Sequence, residues 1–128
     1  MRIEVNGETA YCYTNSRDIE AEKSTVVFIH GSGMDHTVWT LASRHFARHG
    51  NNVVSLDLPG HGRSTGNPLA TVEEMASWVI AVLDALDIAN AALYSASIWR
   101  AVGGPALPLL MRSVCSHTLP ILVMPSRS

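Results

Sequence analysis

The chain has 128 residues, 47% of them hydrophobic and 16% charged, with a formal net charge of −2. That size suits one globular domain, and the scatter of its lysines and arginines excludes an electrostatically driven nucleic-acid or membrane surface. The start Met1-Arg2-Ile3-Glu4-Val5 has no apolar leader core, no apolar run approaches the about 20 residues that span a bilayer, and Cys12 and Cys115 suit two free thiols, so a cytoplasmic protein is expected.

In chain order, residues 2–5, Asn6-Gly7 and residues 8–14 predict a β-hairpin, because Asn-Gly supplies the positive φ of a two-residue turn. Val26-Val27-Phe28-Ile29 is continuously apolar, the pattern of a strand covered on both faces, and runs into His30-Gly31-Ser32-Gly33. Val38, Leu41, Ala42 and Phe46 lie near helical spacing and predict a helix over residues 37–49, stopped by Gly50. A second strand over 53–57 leads into Asp57-Leu58-Pro59-Gly60-His61-Gly62-Arg63-Ser64. Thr71 with Glu74 forms a capping box, and Val72, Met75, Val79, Leu83 and Leu86 make one apolar stripe down to Asp87. Residues 91–94 read as another strand. Strands alternating with helices predict an α/β fold with mostly parallel strands and right-handed crossovers, preceded by the antiparallel hairpin.

Beyond that the character changes. Residues 88–128 contain no Asp, Glu or Lys, only three arginines, and four of the six prolines, whereas residues 1–87 hold all eleven acidic residues. Pro105 and Pro108 obstruct a helix where an α/β unit needs one, and Gly103-Gly104 weakens it further. The expected organisation is an α/β segment over 1–95 and an irregular, divergent tail over 96–128.

Two buried strands that end in glycine turns bring flexible backbone to one edge of a sheet, where N–H groups can face a substrate oxygen. Asp57 reads as a turn or helix-capping partner rather than an acid catalyst. Other chemistries fit less well. Gly31-x-Gly33, with Asp57 following 24 residues after Gly33, matches part of a dinucleotide fingerprint, but His36 stands where a third small residue is needed. His30, Asp35, His36 and His61 match no familiar metal-ligand spacing, so neither metal nor cofactor is expected.

The order strand, His-Gly-x-Gly, helix, strand, Asp-x-Pro-Gly-x-Gly-x-Ser resembles the α/β-hydrolase family, from about Arg2 to about Leu93. The resemblance implies a partial α/β-hydrolase sheet and a small-molecule substrate. It also implies hydrolysis of ester, amide, carbon–carbon or carbon–halogen bonds through a serine or aspartate nucleophile, usually without a cofactor. It makes His30, Gly31, Ser32 and Gly33 the oxyanion or substrate loop, with the Ser32 N–H as an oxyanion donor. The family's nucleophile sits in Gly-x-Ser-x-Gly after the next strand, and here Ser95-Ala96-Ser97-Ile98-Trp99 stands in its place. Ser97 takes the nucleophile's position, but a β-carbon at Ser95 and an indole at Trp99 oppose that strained turn by about 1–3 kcal/mol. After Asp87 there is no Asp or Glu, and the one later histidine is His117, so Ser97 has no oriented base. The apolar run 119–124 resembles the later family strand that precedes the catalytic acid.

The sequence therefore predicts a truncated or frame-altered hydrolase without turnover. Either the reading frame changes near Tyr94 or a deletion joins the front half to a late strand. The alternative is a non-catalytic remnant that binds a small ligand, a dinucleotide or a partner protein. An apolar sheet edge at 91–94, unless 119–124 pairs with it, also predicts self-association.

Overall fold

Asn6 and Gly7 both have positive φ, 53° and 82°, and join β1 (Arg2–Val5) to β2 (Glu8–Tyr13) in the antiparallel hairpin that Asn-Gly specifies. The computed structural model describes residues 1–31, 33–89 and 91–95, without the side chains of Val72 and Ser95. Ser32, Ser97, Cys115, His117, the 119–124 run and the tail expected over 96–128 lie outside the described residues.

Five strands form one mixed sheet in the order β1-β2-β4-β3-β5. β3 (Thr25–Ile29) runs parallel to β4 (Asn52–Leu56) on one side and to β5 (Ala92–Ser95) on the other, and the hairpin joins β4 through an antiparallel pairing with β2. Every residue of β3 and β4 is buried, which is why neither sequence alternates. Val27, Ile29, Val54, Leu56 and Leu93 pack in one layer with Met75, Val79, Val82 and Leu83 of α2 (Val72–Ala85). Val26, Phe28, Val53 and Ala47 form the second layer, covered by Trp39, Ala42, Phe46 and Tyr94. Phe28 sits at its centre, its ring 4.9 Å from Trp39, 5.4 Å from Tyr94 and 5.8 Å from Phe46. Each large side chain buried this way contributes about 1.5–3 kcal/mol.

α2 starts as its capping box predicts, with Thr71 Oγ1 accepting the Glu74 N–H at 3.1 Å. It ends without a glycine. Asp87 takes the left-handed conformation, φ 59°, and the Ile88 N–H reaches the Leu83 carbonyl at 2.9 Å in a Schellman closure that buries both apolar side chains.

The helix expected over 37–49 is divided. A 3₁₀ turn, His36–Trp39, leads into α1 (Thr40–Arg48), and the inward stripe is Trp39, Ala42, Phe46 and Ala47. Val38 and Leu41, expected in the core, are 50% and 77% exposed. Val38 lies in the 3₁₀ turn, whose about 3.0 residues per turn set its direction apart from α-helical spacing, whereas Leu41 sits beside Ala42 in α1, one position off the face that Ala42 and Phe46 bury. A buried bond of 2.7 Å between Ser43 Oγ and Ser55 Oγ fixes α1 on β4. No helix among the described residues is long and apolar enough to cross a membrane.

Candidate active site

Parallel β3, β4 and β5 end at one edge of the sheet, where Ile29 pairs in register with Leu56 and with Ser95. The loop after β3 and the loop after β4 therefore emerge side by side, and four side chains fix them, three between the two loops and one between the β4 loop and β2.

Asp57, fully buried, is the first. Its Oδ1 accepts the His36 backbone N–H at 2.7 Å and the His36 Nδ1–H at 2.9 Å, while Oδ2 accepts the Arg63 N–H at 2.9 Å. A carboxylate with three N–H donors is held by charge-assisted bonds, so Asp57 is the turn and cap partner that its position predicted. The His36 ring is also stacked on Tyr13, 5.4 Å between centroids, and lies 5.1 Å from Tyr11. Gly62, at φ 52°, leaves room for the carboxylate, since a β-carbon there would lie 2.3 Å from Asp57 Oδ2.

Ser64 is the second. Its Oγ accepts the Tyr11 N–H at 2.8 Å and donates to the Asp57 carbonyl at 2.6 Å, and the next residue, Thr65, exchanges bonds with Thr9. The serine that closes the motif therefore stitches the β4 loop to β2.

The other two are imidazoles. The Leu58 N–H donates to His30 Nε2 at 3.0 Å, which assigns the proton to Nδ1, and Nδ1–H donates to the Gly31 carbonyl at 2.7 Å. The Gly33 N–H points to His61 Nε2 at 3.3 Å, and His61 Nδ1–H donates to the Pro59 carbonyl at 3.0 Å, which assigns the same tautomer. The two rings lie 5.0 Å apart. Burial lowers the pKa of His30 from its ordinary value, against the opposing pull of the Gly31 carbonyl, so the fully buried ring is neutral. Asp35 caps the 3₁₀ turn through the Thr37 N–H at 2.9 Å, and the Thr37 bonds hold its carboxyl below the usual range.

Gly33, Met34, Asp35, Thr37, Val38, Gly60, His61 and Gly62 line an open depression where the two loops meet. The expected oxyanion loop is thus placed as follows: His30 is a buried brace, Gly31 is buried behind it, and Gly33 faces outward beside His61. Ser32 and Ser97 lie outside the described residues, though β5 delivers the chain to the same edge at Ser95. The bridging roles of His61, His36 and Ser64 had no local signal, because each partner is 21 to 53 residues away in the chain.

The other chemistries find their groups engaged. Asp35, His36 and Asp57 carry atoms within 4.8 Å of one another, but His36 Nδ1 and both Asp57 oxygens are spent on hydrogen bonds, and the Nε2 lone pairs of His30 and His61 face backbone N–H groups. A dinucleotide ribose would need a free Asp57 carboxylate, and this one is closed. Cys12, buried with its thiol pushed up to about 12 chiefly by desolvation, stays protonated.

Residues 26–111 match the family model described as the alpha/beta hydrolase family. The chain is 32% identical over 84 residues to the (E)-2-((N-methylformamido)methylene)succinate hydrolase of Acinetobacter baylyi, covering 65% of this chain and 30% of that protein. It is 43% identical over 61 residues to the pimeloyl-[acyl-carrier protein] methyl ester esterase of Proteus mirabilis, 44% of this chain and 22% of that protein. Less than a third of either relative's length is therefore spanned. Among solved structures, a bacterial membrane phospholipase A superposes with a TM-score of 0.79 at 23% identity, covering 100% of this chain and 41% of that one, a likeness of fold.

Proposed function

Because this chain belongs to the alpha/beta hydrolase family, we propose that its described part is the substrate-oxygen side of a hydrolase site for an ester, amide or related acyl bond. In this reading His30, Gly31, Ser32 and Gly33 form the oxyanion loop, Ser97 stands in the nucleophile's position, and these 128 residues on their own do not turn over substrate. The observation that carries it is the joining of the two glycine loops by His30, His61 and Asp57 at the edge to which β5 also leads. Support for the bond class comes from the matched relatives, one named a hydrolase and one a methyl ester esterase.

The chemistry follows from what a serine needs. Attack on an acyl carbon requires a base to take the hydroxyl proton and N–H donors to meet the charge that develops on the oxygen. A braced glycine loop suits the second task. For the first, the residues after Asp87 supply no carboxylate and only His117, and loss of the base costs a serine hydrolase about 10⁶-fold in kcat. The proposed lack of turnover rests on the residues present, Ser95 and Trp99 where the elbow needs glycines and no Asp or Glu among 88–128.

Release of p-nitrophenol from acetate and butyrate esters tests the proposal. The expected rate is the same for this chain and for its Ser97→Ala variant, and both match the uncatalysed rate. Rapid turnover lost on Ser97→Ala would overturn the inactivity and establish Ser97 as nucleophile.

A further inference from the structure

We propose that His61 is a positioning residue that latches the Gly31–Gly33 loop, holding it only while its ring is neutral. The proposal rests on the hydrolase reading for the loop's purpose, but not for the contact itself. Gly31 and Gly33, the described neighbours of the position where that reading places the oxyanion donor, each have an anchor. On one side the Gly31 carbonyl accepts His30 Nδ1–H at 2.7 Å and the Met34 N–H at 3.2 Å. On the other the Gly33 N–H meets His61 Nε2 at 3.3 Å.

The two anchors differ in kind. His30 is fully buried and desolvation lowers its pKa, so its ring resists the second proton and keeps Nε2 bare. His61 is half-buried, sits between Gly60 and Gly62, and lines the open depression. It must donate through Nδ1 to Pro59 and accept through Nε2 from Gly33, and only the neutral Nδ1–H tautomer does both. A proton on Nε2 turns the acceptor into a donor facing the Gly33 N–H and opens the latch. The charged and titratable groups around it act in opposing directions: the neutral His30 ring at 5.0 Å, Asp35 across the depression, Asp57 behind Gly62 with His36 bound to it, and Arg63 next along the chain. None of them replaces the lost lone pair. Acid therefore frees the Gly33 side of the loop, and the Gly31 side stays fixed for as long as His30 remains neutral.

The test reads the loop in the full 128-residue chain and needs no turnover. Long-range ¹H–¹⁵N spectra of the unmodified protein should show His61 protonated at Nδ1 and bare at Nε2, and the Gly33 amide shift should titrate with the same midpoint as the His61 ring. In His61→Ala the Gly33 amide should exchange about tenfold faster while Val27 and Val54 keep their protection. His61→Gln, which retains an acceptor, should recover part of that protection but lose the titration. An Nε2–H tautomer at neutral pH, a Gly33 shift that ignores the His61 midpoint, or unchanged exchange in His61→Ala overturns the latch. If the alanine variant does not fold, the tautomer and the shared midpoint in the unmodified chain still decide. A failed hydrolase reading leaves these results standing, and a failed latch leaves the hydrolase reading to its own assay.

Discussion

The two glycine loops at the C-terminal edge of the sheet look alike in sequence and are held in different ways. The loop after β4 is built into the scaffold: Asp57, Leu58 and Pro59 are buried, Asp57 collects three N–H donors, and Ser64 and Thr65 tie it to β2. The loop after β3 is buried only through Gly31; Gly33 and Met34 are exposed, and Gly31 and Gly33 take their side-chain bonds from two imidazoles. One loop is thus a rigid platform and the other a lightly tethered element laid upon it. Under the proposed function that division suits acyl chemistry, in which donors must be placed in advance while their outer face stays open to substrate.

Glycine substitution is the harshest way to sharpen this contrast. Gly62→Ala drives a β-carbon into the Asp57 carboxylate at 2.3–2.7 Å, at φ 52°, and should cost about 4 kcal/mol or prevent folding. Gly33→Ala meets nothing within 4 Å and strains only its positive φ, so about 1–2 kcal/mol is expected. Equal losses in urea titrations of the two variants would erase the distinction between platform and tether.

Asp57→Asn keeps the shape and removes the charge. An amide presents one acceptor and two donors where three N–H groups converge, so about 3 kcal/mol should be lost, and the His36 amide, protected in the native chain, should exchange with water. If stability and His36 protection survive, Asp57 is not the clamp.

Acid gives the mildest probe. The folded pKa of His30 lies below its ordinary value of 6.5, so the unfolded chain binds the proton first. The stability that His30 contributes is therefore complete above the unfolded value and is lost as the pH falls through 6.5 towards the folded value. Thermal melts between pH 7.5 and about 5 should show this decline, and His30→Asn should start lower and fall less steeply. A variant with an unchanged slope would show that another group carries the acid sensitivity.

Much of this architecture could be read directly. The Asn6-Gly7 hairpin, the unalternating strands at β3 and β4, the capping box at Thr71 and Glu74, and the hydrolase order of the two glycine motifs all depend on residues near one another in the chain. Asp57 as a cap partner was also legible, from its place between a strand and a glycine turn. The inward face over 36–48 was legible only in part: Ala42 and Phe46 point in, but the break into a 3₁₀ turn had no signal, and Val38 and Leu41 lie outside.

By itself, then, the sequence determined which segments become strands and helices, since that choice is made by local periodicity and turn chemistry. It also determined that residues 88–128 contain no Asp or Glu. Only the tertiary structure decided what His30, His36, His61 and Ser64 do. Their distant partners are backbone N–H groups or a buried carboxylate on a different segment, and such groups meet only when parallel β3 and β4 end side by side and β2 pairs with β4. Hydrogen bonds of this kind depend on ångström-scale placement rather than on residue type, so no pattern along the chain announces them.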